Sequence, residues 1–160
     1  MSYKFDPKLD LSFERTVHLT PEQLFKGWTD PEILKKWFCP RPWFVSECEI
    51  DLQPGGAFNN VMNSPEGQKF SNFGSYLEVV KNQKIVWTNS LTAGYRPNSM
   101  DSSVSFLFTA IVTFEPVAEG TKYRAVVMHR SEEDCKKHAA MGFEDGWGVA
   151  LQQLIDFYQK

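Results

Sequence analysis

The sequence has little of what would tie it to a membrane, a nucleic acid or an oxidising compartment. No apolar run approaches the roughly 20 residues of a bilayer span. The start, MSYKFDPKLDL, has no apolar stretch behind a basic one, as a secretory leader would. Neither sign of charge dominates: 17 Lys plus Arg stand against 20 Asp plus Glu, and no basic run tracks a phosphate backbone. These absences argue against nucleic acid and against a membrane span, and they lead us to expect a cytoplasmic protein. Cysteine is scarce. Cys39, Cys48 and Cys135 are odd in number and lack CxxC spacing, which suggests buried free thiols rather than a disulfide framework or a zinc site. Repeats, low-complexity tracts and a clear linker are also missing, so residues 1–160 read as one domain with room for a sizeable core.

Signatures of chemistry are equally sparse. His18, His129 and His138 are the only histidines, and none stands in an HExxH pattern. There is no GxSxG, no nucleophile and base paired by spacing, and no cofactor fingerprint. No metal and no cofactor are expected, and no catalytic residue can be assigned. DLQPGGAFNNVMNSPEG, residues 51–67, has the glycines of a phosphate cradle, but Gly56 leads into a strand rather than a helix N-terminus. Pro54-Gly55-Gly56 therefore reads as a hairpin corner.

What the chain does have is rings. Aromatics make up 14% of it, with 13 Phe and 5 Trp, enough for a large core or for a cavity lined with aromatic side chains. Periodicity arranges them. Leu9 to Leu19 alternates as a half-buried strand. Thr20-Pro21 with Gln23 starts one helix and Asp30-Pro31-Glu32 a second, which ends near Cys39-Pro40-Arg41-Pro42. Phe44–Leu52, Ala57–Asn63, Phe70–Val80, Lys84–Leu91, Val104–Glu115 and Lys122–His129 read as a meander of six further strands. Leu91 to Ser103 is the one long connection and is a candidate lid. Ser131 with Glu132, Glu133 and Asp134 opens a final helix, along which Phe143, Trp147, Ala150, Leu151, Leu154 and Tyr158 recur at helical spacing. Gly142, Gly146 and Gly148 each cost about 1 kcal/mol there relative to Ala. Close approach to the sheet or to a ligand would offset that.

The order is α+β: a curved antiparallel sheet of seven strands must wrap its apolar face around a long C-terminal helix, with two short helices between strands 1 and 2. Several landmarks accompany it: Phe13-Glu14-Arg15; Thr29-Asp30-Pro31-Glu32 with Trp37 and Pro40; Asp51 to Phe58; Gly74 to Val80; Ile85-Val86-Trp87-Thr88; Glu119-Gly120-Thr121; Gly146-Trp147 with Ala150-Leu151 and Leu154. In this order the chain resembles the START-like, or SRPBCC, superfamily with its helix-grip, birch-pollen-allergen-like fold, and within it the branch of heat-shock-protein ATPase activator homologues and polyketide-cyclase-like domains.

The resemblance implies a cavity of several hundred cubic ångströms between helix and sheet that takes an apolar small-molecule ligand, and it makes a homodimer a further expectation. It sets Phe58, Asn60 and Met62 inward and Asn59 and Val61 outward. Asn60, polar among apolar neighbours, either meets a partner or ligand or belongs to the surface in a different register. Trp37, Phe44, Phe73, Tyr76, Trp87, Phe106, Phe108, Met141 and Trp147 are the other candidates for the lining, with plain core packing the alternative for each. His129, at a strand end, points in or out, and Glu78 has Arg15 or Arg124 as candidate ion-pair partners. Three functions follow: binding of a lipid, polyketide or similar molecule; a cyclase- or hydratase-like enzyme using a group such as Asn60, Tyr76 or His129; or a chaperone-ATPase regulatory module that binds protein.

Overall fold

The structure is a computed structural model and describes residues 3–99 and 106–159. Strand β1 (Asp10–Val17) leads into helices α1 (Pro21–Thr29) and α2 (Pro31–Trp37). Both helix starts follow from side-chain chemistry. Thr20 Oγ1 accepts from the Gln23 N–H at 3.1 Å while Gln23 Oε1 accepts from the Thr20 N–H at 2.9 Å, which closes a capping box. Asp30 Oδ1 accepts from the Glu32 N–H at 2.9 Å, and each helix carries proline at its first position.

Strands β2 (Phe44–Ile50), β3 (Phe58–Asn63), β4 (Lys69–Asn72), β5 (Ser75–Val80) and β6 (Lys84–Thr88) come next. A two-residue pair, β7 (Leu91–Thr92) and β8 (Arg96–Pro97), precedes the long hairpin of β9 (Phe108–Val117) and β10 (Gly120–His129). All pairings are antiparallel, in the orders β1-β10-β9-β6-β5 and β2-β3-β4. The two groups meet at the Ala57–Ser75 bridge, where the Phe58 N–H donates to the Gly74 carbonyl at 3.0 Å. This is the curved antiparallel sheet of the helix-grip fold.

Three elements differ from the sequence expectation. The strand expected over Phe70–Val80 divides, because the chain leaves β3 after the Asn60–Asn72 pair and joins β6 at Ser75–Thr88. The single final helix is two, α3 (Glu132–Ala140) and α4 (Phe143–Tyr158), broken where Gly142 takes φ 85, a left-handed conformation that glycine adopts without a Cβ penalty. The connection Leu91 to Ser103 begins as the β7–β8 hairpin, tied to the Pro-Gly-Gly corner by the Gly94 N–H donating to the Gly55 carbonyl at 2.8 Å. Residues 100–103 of that connection, and Val104 and Ser105 of the strand expected to follow, lie outside the described residues. At the corner itself the Gly55 N–H donates to Tyr76 O and the Gly56 N–H to Gln53 O, both at 2.8 Å, so neither is left for an anion.

Alternation along β9 and β10 sets the core. Ala110, Val112, Phe114, Tyr123, Ala125 and Val127 form one buried cluster with Leu151 and Leu154 of α4 and with Leu24, Trp28, Leu34 and Trp37 of the two short helices. Each fully buried large side chain contributes roughly 1.5–3 kcal/mol. Among the described residues the opposite sheet face holds the small buried cluster Val86, Ile111 and Val126, with Met128 packed against it. Glu78 pairs with Lys84 at 2.8 Å rather than with either arginine: Arg15 donates to Gln152, and Arg124 lies near Glu14. Among the described residues no helix is long and apolar enough to cross a membrane.

Candidate functional site

Helix α4 faces the sheet with small residues. Gly142, Gly146 and Ala150, spaced by four, line a cavity of about 590 Å3, and a Cβ built on Gly146 would meet nothing within 4 Å. Gly142 and Gly146, which looked unfavourable in sequence, thus leave volume open, whereas a Cβ on Gly148 would stand 3.5 Å from the Phe13 ring of β1, in ordinary contact. Trp28 and Trp37 of the short helices, with Phe38 just beyond α2, form a second wall, their rings edge to face at 5.1 and 5.5 Å from Trp28. The sheet supplies a third, Phe58, Trp87 and Phe108, with Trp87 edge-on to both phenyl rings at 4.9 and 5.3 Å. Trp43, Phe73 and Met141 also line the cavity yet remain exposed, so they mark its mouth.

Few polar groups interrupt these walls. Asn72 Nδ2 donates to Phe70 O at 3.2 Å and to Asn60 Oδ1 at 3.1 Å, which fixes the Asn60 carbonyl toward Asn72. Asn89 Nδ2 donates to Phe106 O at 2.9 Å and its Oδ1 accepts from the Phe108 N–H at 2.8 Å, pinning β9 beside β6. His138 closes the set. Trp28 Nε1 donates to Tyr123 Oη at 3.2 Å in the cavity floor. Burial pushes the Cys39 thiol up to about 11, so this cavity-lining sulfur is a neutral thiol at physiological pH. Burial, then the neighbouring His129, lowers His138 to about 4 and keeps its ring neutral. Among the described residues no group of three or more His, Cys, Asp or Glu side chains is arranged to hold a metal ion.

Of the residues singled out in sequence, Trp37, Phe58, Asn60, Met62, Phe73, Trp87, Phe106, Phe108, Met141 and Trp147 surround this one space. Three others do not. Phe44 is exposed on β2, because alternation turns its neighbour Val45 into the core instead. Tyr76 is fully buried behind Phe58, its ring stacked on that phenyl at 5.3 Å, with its hydroxyl unpaired among the described residues. His129 sits behind His138, bonded to it at 2.9 Å. The three polar groups considered for an enzyme therefore do not converge, since only Asn60 reaches the cavity. Residues 91–99 of the candidate lid do not line it either.

Sequence reasoning passed over Trp28, Asn72, Asn89, His138 and the Gly142/Gly146/Ala150 stripe as lining residues. The stripe had a signal, the four-residue spacing of small residues. Asn89 and His138 had none, because β6–β9 pairing and the break at Gly142 decide where they point.

The fold has close counterparts. The family model described as Activator of Hsp90 ATPase homolog 1-like protein matches residues 18–158. A crystal structure of a Nitrosomonas europaea protein superposes with TM-score 0.91 at 40% identity, covering 97% of each chain. A Rhodobacter sphaeroides protein (TM-score 0.78, 23% identity, 94% of this chain and 93% of that one) and an AHSA1-like protein from Aeromonas hydrophila (0.68, 17%, 94% and 92%) share the fold. Among curated proteins none matches. The chain belongs to the Activator of Hsp90 ATPase homolog 1-like family, with the helix-grip fold of the START-like superfamily.

Proposed function

We propose that the protein binds an apolar or amphipathic small molecule, a lipid, polyketide or similar compound, in the cavity between α4 and the sheet. The family and fold support a ligand-binding or regulatory module in general. One observation carries the finer reading: about 590 Å3 of space lined largely by ring side chains, with only a few polar groups in its walls. That size and composition are ordinary for a small-molecule site. The glycine stripe strengthens it, since a helix built only for stability would fill Gly146 with a methyl group at no steric cost. All three cysteines are free, which fits the reducing cytoplasm. Native mass spectrometry of the freshly purified protein should find a co-purified apolar molecule, or a panel of neutral aromatic and acyl probes should bind with one-to-one stoichiometry. A protein that takes up none of them sinks the reading.

A protein-interaction role is the second reading, and exposure at the cavity mouth favours it. Trp43 and Phe70, with ring centroids 5.6 Å apart, are both exposed there beside Phe73. If these rings dock a partner, replacing Phe70, which does not line the cavity, by serine weakens the complex and leaves probe binding in the cavity intact.

A further inference from the structure

The protons of the His129–His138 pair can be assigned from its far end. His129 Nδ1 lies 2.9 Å from the Leu9 carbonyl oxygen. A carbonyl only accepts, so Nδ1 carries the hydrogen, and in the tautomer with that single ring hydrogen Nε2 is an acceptor. His138 Nδ1 stands 2.9 Å from that Nε2 and must therefore donate to it. The remaining nitrogen, His138 Nε2, keeps a lone pair, and no described residue hydrogen-bonds to it.

His138 is also the member of the pair that lines the cavity. Its ring is held by Phe106, Phe108 and Phe143 at centroid distances of 4.7, 5.6 and 5.2 Å, and none of these offers a hydrogen to Nε2. We infer that His138 Nε2 is the hydrogen-bond acceptor that orients the ligand, and that the ligand is a neutral, ring-bearing molecule carrying a hydroxyl or phenol O–H. This rests on the cavity-binding reading above and narrows it to a class. A carboxylate is disfavoured, because it would set lone pair against lone pair. The opposite polarity is available at Asn60, a buried side chain whose Oδ1 is occupied by Asn72 while its NH2 has no partner among the described residues. A ketone or ether oxygen elsewhere on the same molecule complements it.

The test uses 2-naphthol, 2-fluoronaphthalene, which matches it closely in shape but has no O–H, and 2-naphthoate, each titrated into the full chain at neutral pH by NMR. The wild type should hold 2-naphthol roughly five- to ten-fold more tightly than the fluoro compound, the scale of one neutral hydrogen bond, and 2-naphthoate least of all. H138N retains an N–H for His129 Nε2 and leaves no acceptor at the Nε2 position, its own Oδ1 lying nearer the backbone, and it should erase the preference. Long-range proton–nitrogen correlation on the unsubstituted protein gives a second readout that needs no variant. It should show His138 protonated at Nδ1 and bare at Nε2, with the Nε2 resonance moving on addition of 2-naphthol. Equal binding of 2-naphthol and 2-fluoronaphthalene, or a proton on Nε2 in the free protein, overturns the inference and leaves the cavity reading standing. Binding of none of the probes overturns both.

Discussion

The side-chain amide of Gln153, in the middle of α4, donates to the Cys39 carbonyl just beyond α2 at 2.7 Å. The same nitrogen reaches the Trp37 carbonyl at 3.0 Å, and Oε1 accepts from the Arg41 N–H, also at 3.0 Å. The last carbonyls of a helix have no partner within it, and here one buried glutamine on another helix supplies them. The turn that carries the Trp37, Phe38 and Cys39 wall of the cavity is thereby fixed to α4. Replacing Gln153 with leucine strands two carbonyls and one N–H away from water, so stability should fall by roughly 2–4 kcal/mol. Urea unfolding measures it, and a change below about 0.5 kcal/mol, the ordinary surface range, would show that water replaces the amide freely.

Gly146→Leu separates cavity from core. The substitution adds a strong helix former where a Cβ has open space, so unfolding free energy should hold steady or rise by about 1 kcal/mol. The same side chain enters the volume lined by Trp28 and Trp147, and 2-naphthol binding should disappear. Undiminished binding in a stable variant would place the ligand elsewhere on the protein.

Strand alternation and capping made much of this fold legible in the chain. Thr20, Gln23 and Asp30 predict the two short helices from local chemistry alone, and they form as predicted because the capping atoms lie within three residues of one another. Phe58, Asn60 and Met62 share a face through the period of two, a purely local rule. What could not be read depends on distant partners. Phe44 and Val45 are both apolar, and only pairing with β3, with its register shift between Val45 and Glu47, decides which one is buried. The break at Gly142 was likewise hidden within one long stretch of helical spacing. That break sets where His138 stands relative to the cavity.

Phe58 and Phe44 offer a direct comparison of that error. Phe58 is buried against Tyr76 and Trp87, and truncation to alanine should cost roughly 3 kcal/mol, the lower part of the range for a buried phenylalanine because one side of its ring already borders open volume. Phe44→Ala removes an exposed ring and should stay within about 0.5 kcal/mol of the parent. Thermal unfolding of the two variants side by side tests the assignment. Comparable losses would mean that Phe44 is covered in solution, as it would be in an assembly.

His138 gives the protein a pH dependence with a defined sign. Its ordinary value is 6.5, which applies to the unfolded chain, and burial followed by the neighbouring His129 lowers it to about 4 in the fold. Between those values the unfolded state binds the extra proton and the native state does not. Stability is therefore complete above pH 6.5 and declines as pH falls toward 4, where both states are protonated and the loss levels off. For a ring that is only partly buried, the loss amounts to about 1–2 kcal/mol, well short of the full linkage value. Carboxylates titrate over the same window, so the informative quantity is the difference between wild type and H138N in urea midpoint at pH 7 and pH 4.5. The asparagine cannot take up the proton, and its midpoint should fall less. An identical fall in both proteins would mean that His138 is charged in the native state at the lower pH.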